Sequence, residues 1–133
     1  MSHRRVITSG TQLENDIGYA RAVVDSEWVH VSGTTGFDYE TMTISDDVVE
    51  QTEQSMANIG AALAAAGCTF ADVVRVRYML TDRADFEACW PVLRRHFGEV
   101  RPAATMIVCG LSDARMRIEV EVTARRSGET PPV

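Results

Sequence analysis

The sequence predicts an α+β fold: a single mixed sheet with two helices on one face. Three observations predict it. Val49, Thr52, Met56, Ile59, Leu63 and Ala66 recur at spacings of three and four, which is the period of one helix face. Val74, Val76, Tyr78 and Leu80 alternate with Arg75 and Arg77, and Ile118, Val120 and Val122 alternate with Glu119, Glu121 and Thr123, which is the period of a strand. Helical and strand segments also intermix along the chain, so that helices must pack on a sheet. Two helices cover only one face. The other is expected to lie against another subunit.

The elements follow in order. Residues 1–5 open a short strand or arm. Residues 20–24 are small and apolar, Asp25-Ser26-Glu27 reads as a turn, and residues 28–32 suit a strand broken by Gly33-Thr34-Thr35-Gly36. Residues 37–44 read as a loop with a short hairpin. Asp46 and Asp47 sit where negative charge suits the start of a helix dipole. Asp47 with Glu50 forms the pattern of a capping box, and Gly67 is a natural stop. Residues 73–80 form a strand. A second helix is expected over 83–97, capped by Asp82 and ended by Gly98, with Pro91 kinking it or opening a new first turn. Residues 102–109 and 117–124 complete the set as strands.

Composition bounds the function. The 133 residues make one domain, with an ordinary globular balance of 45% hydrophobic and 24% charged residues. No segment offers the roughly 18 apolar residues of a membrane helix, and no apolar stretch follows the basic residues 1–5, so a cytoplasmic location is expected. Net charge is −6, and the arginines are scattered. Both features argue against a nucleic-acid partner, whose phosphates require a basic patch. All 13 basic residues are arginine, which excludes Schiff-base chemistry by a lysine. Cys68, Cys89 and Cys109, with His3, His30 and His96, show neither a disulfide framework nor zinc-ligand spacing. No metal site is expected. Residues 127–133 read as a flexible tail.

Several short pieces then line up in one order. They are Gly18-Tyr19-Ala20-Arg21-Ala22-Val23, Val31-Ser32-Gly33-Thr34, Gln51-Thr52 with Asn58-Ile59, Leu63-Ala64-Ala65-Ala66-Gly67, and Asp72-Val73-Val74. Leu80-Thr81-Asp82, Asp85-Phe86, Arg101-Pro102-Ala103 and Ile118-Glu119-Val120-Glu121 follow. From about Gly18 to Ala124 the chain resembles the Rid family, also called YjgF or reactive-intermediate deaminases. The resemblance implies a chorismate-mutase-like fold and a homotrimer with ligand clefts between subunits. It also implies hydrolysis of reactive enamines or imines without metal or organic cofactor. Some relatives have been described as ribonucleases.

The resemblance also supplies site residues. In deaminating members an arginine after the Pro-Ala pair holds the substrate carboxylate, a bidentate contact that gives affinity and orientation. Here Ala104 stands at that position, so a non-standard substrate, or a non-catalytic trimer that binds a small metabolite, is expected. Arg101 and Arg21 are the arginines near enough in the pattern to replace it. Glu121 matches the glutamate that activates water, with Glu119 two residues away on the same strand face. Tyr19 matches a pocket aromatic, Ser32-Gly33 a strand end beside the pocket, and Thr105 a small residue facing the ligand.

Overall fold

A computed structural model describes residues 4–126; the expected tail at 127–133 lies outside the described residues. Strands β1 (Arg4–Ile7), β2 (Ala22–Asp25) and β3 (Trp28–Thr35) form an antiparallel meander. Helix α1 (Gln12–Ile17) lies between the first two. A two-stranded hairpin, β4 (Phe37–Asp38) and β5 (Thr43–Ile44), leads to α2 (Val48–Ala65) and β6 (Val73–Leu80). Helix α3 (Phe86–Phe97), β7 (Ala103–Val108) and β8 (Ile118–Arg125) follow. The main sheet runs β1-β2-β3-β8-β6-β7, antiparallel throughout except for the β6–β7 pair. Parallel strands need a crossover, and α3 supplies it.

The mixed sheet with two longer helices over one face is the architecture the sequence predicts. Strand β8 shows why: Ile118, Val120, Val122 and Ala124 are buried beneath the helices, while Glu119, Glu121 and Thr123 are half-buried on the other face. Met56, Ile59 and Leu63 of α2, and Cys89, Val92 and Phe97 of α3, join the same apolar core.

Several details differ from the sequence reading. Helix α1 escaped it, because six residues carry too little periodicity. Strand β3 does not stop at Gly33 but runs to Thr35, with a register shift between Val31 and Thr34. A β-bulge absorbs the glycine that looked like a breaker. Val74 is 44% exposed while Val73 is 3% exposed, because β6 also shifts register between Val73 and Arg75. The capping box at α2 is half formed. The Asp47 carboxylate accepts from the Glu50 amide at 2.9 Å, but the Glu50 side chain turns to the Ser45 hydroxyl, which in turn accepts from the Asp47 amide. Gly67 has φ +80°, the left-handed conformation expected just past a helix end. The second helix begins as a 3-10 turn over Arg83–Asp85, capped by Asp82, before α3 proper. Pro91 sits inside a continuous α3. Pro91 and Glu87, whose carbonyl loses its donor, both lie on the exposed side, where water can serve that carbonyl.

A polar stripe on α2 fastens the helix to the strands. Ser55 donates to the Thr34 carbonyl at 2.7 Å, and Asn58 donates to the carbonyls of Thr35 and Phe37. Gln51, fully buried, donates to the carbonyls of Ser45 and Arg115 and accepts from the Arg117 amide. Polar residues at positions i, i+4 and i+7, beside the apolar stripe, were the visible signal for this seam.

Candidate active site

A cavity of about 650 Å³ opens where β3 bulges away from β8. Its sheltered wall includes Arg21, 5% exposed, Thr35 and Phe37. Its rim carries apolar side chains that solvent reaches: Leu13 and Ile17 from α1, and Met42 from the β4–β5 turn, exposed 50%, 67% and 51%.

The bulge arises from local bonding. Ser32 donates its amide to the Arg21 carbonyl and its hydroxyl to the Ala20 carbonyl, at 2.9 and 2.6 Å. Arg21 extends along this seam. Its Nη1 donates to the Gly33 carbonyl at 2.9 Å and the Thr34 hydroxyl at 2.8 Å. Its Nη2 reaches only the Tyr19 hydroxyl, at 3.4 Å, and its Nε is buried with no hydrogen-bond partner. The guanidinium carbon lies 5.7 Å from the Tyr19 ring centroid and 5.4 Å from that of Tyr39. Two aromatic faces therefore share the cation. Among the described residues Arg21 makes no ion pair.

Glu119 is the acidic residue of β8 that lines the cavity. A Cβ at Gly33 would come within 1.9 Å of Glu119 Oε2 and 2.8 Å of its Cδ. The Ser-Gly pair thus does not end the strand but makes room within it: the carboxylate occupies the space a side chain would take. Among the described residues Glu119 makes no hydrogen bond or ion pair. Burial first, and the neighbouring Glu121 second, push its pKa above the ordinary carboxylate value against the pull of Arg21. Tyr39 is also pushed up, by burial first, with Arg21 opposing.

The structure brings Tyr19, Ser32 and Gly33 together at the cavity with Arg21, and adds Glu119. Glu121 is not among the lining residues and pairs with Arg77 across the sheet at 3.1 Å. Ala104 and Thr105 lie on β7, the far edge strand, and neither lines this cavity. Thr105 Oγ1 instead accepts from Arg75 Nη2 at 2.6 Å. Arg101, at φ 54° and exposed before β7, lines nothing here either. The sequence reading missed Tyr39 and the α1 rim, which a Tyr in a loop and two apolar residues in a short helix hardly announce.

Among the described residues no three His, Cys, Asp or Glu side chains come together to hold a metal ion, and no helix is long and apolar enough to cross a membrane. On this α+β scaffold a bulged mixed sheet thus gathers two acids, two arginines and two tyrosines around one cavity: Asp113, Glu119, Arg21, Arg115, Tyr19 and Tyr39. The sequence profile of the family described as Endoribonuclease L-PSP matches residues 9–126, and the chain belongs to that family, the Rid or YjgF family. An uncharacterised protein of Streptomyces coelicolor is 34% identical over 123 residues, covering 92% of each chain. The 2-iminobutanoate/2-iminopropanoate deaminase of Homo sapiens is 32% identical over 123 residues, covering 91% of this chain and 89% of that one. A crystal structure of a YjgF/YER057c/UK114 family member from Mycobacterium tuberculosis superposes with a TM-score of 0.83 at 36% identity, covering 92% of this chain and 98% of that one.

Proposed function

We propose that the chain hydrolyses reactive imines or enamines, with Glu119 as the proton-transfer group in a cavity shared with Tyr19, Ser32 and Gly33. The observation that carries this reading is the unpaired Glu119 carboxylate packed against Gly33 at the cavity wall. Water attacks the imine carbon while Glu119 takes its proton. The C=N electron pair moves to nitrogen, which is protonated. Collapse of the resulting carbinolamine breaks the C–N bond, leaving a carbonyl and ammonia. An enamine first takes a proton at carbon and then follows the same course. A carboxylate with a raised pKa is a stronger base than an ordinary one, which suits a residue that accepts and returns one proton. The deaminase names carried by relatives support the reaction class. In this reading Glu121 acts through Glu119, by adding negative charge beside it.

With Ala104 on β7, the family's arginine contact to a carboxylate is lost there. Three copies of the chain are proposed to assemble, covering the open sheet face. Met106, Ile107 and Val108 of β7, 36–45% exposed, give that assembly an apolar edge. Ribonuclease chemistry is disfavoured, since Glu119 and a net charge of −6 repel phosphate.

The test generates the imine in place with an amino-acid oxidase and follows loss of imine against a semicarbazide trap. Wild type is expected to accelerate hydrolysis, and Glu119→Gln to lose about a hundredfold or more. No acceleration by wild type would leave the alternative, a metabolite-binding trimer. Light scattering should give three chain masses; a monomer at micromolar concentration rejects the assembly.

A further inference from the structure

Arg21 is a buried cation without a counter-charge. Desolvating a guanidinium is costly unless an anion or a full set of hydrogen bonds compensates. Two of its donors are used by Nη1, while the Nε–Nη2 edge has one long contact and one atom with no partner. That edge is the one arginine uses for side-on bidentate binding of a carboxylate. The same chain uses this edge on a carboxylate twice at its surface, once with both oxygens. Arg115 holds both oxygens of Asp113 through Nε and Nη2 at 3.0 and 2.8 Å, and Arg125 turns the same two atoms onto one oxygen of Glu27 at 3.1 and 2.9 Å. Glu119 does not fill this role for Arg21, since the two make no ion pair.

The cavity also has a second character. Leu13, Ile17, Met42 and Met116 line it with flexible apolar side chains. Anion binding at one end and apolar surface at the other define an amphiphilic ligand.

We propose that Arg21 is the carboxylate anchor of this chain, standing in for the arginine absent at Ala104, and that the Leu13–Ile17–Met42–Met116 rim selects 2-imino acids with bulky apolar side chains. This rests on the hydrolase reading above for the identity of the reacting group, but binding alone tests it. The carboxylate takes the Nε–Nη2 edge after a small shift of the Tyr19 and Tyr39 rings. The imine carbon then lies towards Glu119, and the side chain leaves along the rim. Arg21 binds and orients; it exchanges no proton.

The experiment uses stable keto acids as probes on the full chain, by calorimetry. The wild-type protein is titrated with 4-methyl-2-oxopentanoate, its neutral amide and pyruvate. The branched acid is expected to bind at least about tenfold more tightly than its amide, the loss of a charge-assisted contact, and about tenfold more tightly than pyruvate, from three further carbons on the apolar rim. Arg21→Gln should bring the acid down to the affinity of the amide, with Arg21→Lys intermediate. Ile17→Ser with Met42→Ser should erase the preference over pyruvate while keeping that for acid over amide. Equal binding of acid and amide by wild type, or no saturable binding of either acid, overturns the anchor even if Arg21 variants fail to fold. Equal binding of the branched acid and pyruvate overturns the rim's selectivity. Selective binding without any imine hydrolysis sinks the hydrolase reading and leaves this inference standing; hydrolysis without acid–amide discrimination does the reverse.

Discussion

Gly33→Ala separates the site from the fold. Its φ lies outside the left-handed region, so alanine meets no backbone obstacle there. The obstacle is Glu119, whose Oε2 lies 1.9 Å from the position of the new Cβ. To regain an ordinary van der Waals contact the carboxylate must retreat by about 1.5 Å. A flexible side chain can do this at a cost of about 0.5–1.5 kcal/mol of rotamer strain. A displacement of that size in a reacting group costs about a hundredfold in rate. The variant should therefore unfold in urea within about 1.5 kcal/mol of wild type while kcat/KM for imine hydrolysis falls by two decades. Activity within about threefold of wild type would show that the position of Glu119 is immaterial to the chemistry. A stability loss above about 3 kcal/mol would show that the clash is taken by the backbone instead.

Three further outcomes follow from single contacts. Glu14 is buried, which pushes its pKa up, but hydrogen bonds from Ser9, Thr11 and Thr8 outweigh burial and hold it at about 2. Because its folded pKa is depressed, its contribution is complete above its ordinary value of 4.5 and is lost as pH falls towards about 2. The stability difference between wild type and Glu14→Gln, measured by urea unfolding from neutral pH to acid, should shrink across that window; a constant difference refutes the assignment. Gln51→Ala strands the Ser45 and Arg115 carbonyls and the Arg117 amide. It should cost about 2–4 kcal/mol in urea unfolding, and a loss below about 1 kcal/mol would mean that water replaces the amide. Ala104→Arg, on an exposed edge, should change the stability of the single chain by no more than about 0.5 kcal/mol. If Arg21 anchors the carboxylate as proposed, imino-acid hydrolysis should stay within about threefold; a tenfold gain would return the carboxylate subsite to β7.

The fold was legible because its periodicities are long. Eighteen residues of α2 and eight each of β6 and β8 repeat their patterns often enough to be read. What escaped was short or irregular. Six residues of α1 are held by a network around Glu14 and not by an apolar stripe. The bulges at Ser32-Gly33 and Val73–Arg75 shift side chains between faces in a way that strict alternation cannot follow.

The same bulge explains why Glu119, and not Glu121, lines the cavity. On β8, Glu119 and Glu121 share a face, and alternation alone cannot rank them. Their strand partners rank them. Glu121 stands opposite Arg77, a permanent counter-charge, while Glu119 pairs with Met79 on one side and Thr35 on the other, beside the one residue of β3 without a side chain. A carboxylate facing arginine is held in an ion pair. The one beside the glycine has no such partner, and burial first, then Glu121, raises its pKa towards the protonated form. Arg21 obeys the converse logic. On the sequence it is one of thirteen arginines, more simply a surface charge than a ligand. In the fold it is the buried arginine of the cavity, held by a carbonyl and a hydroxyl and by no acid. The segment that leads into β2 thus brings a buried positive charge to the cavity wall, which is what the proposed anchoring role of Arg21 requires.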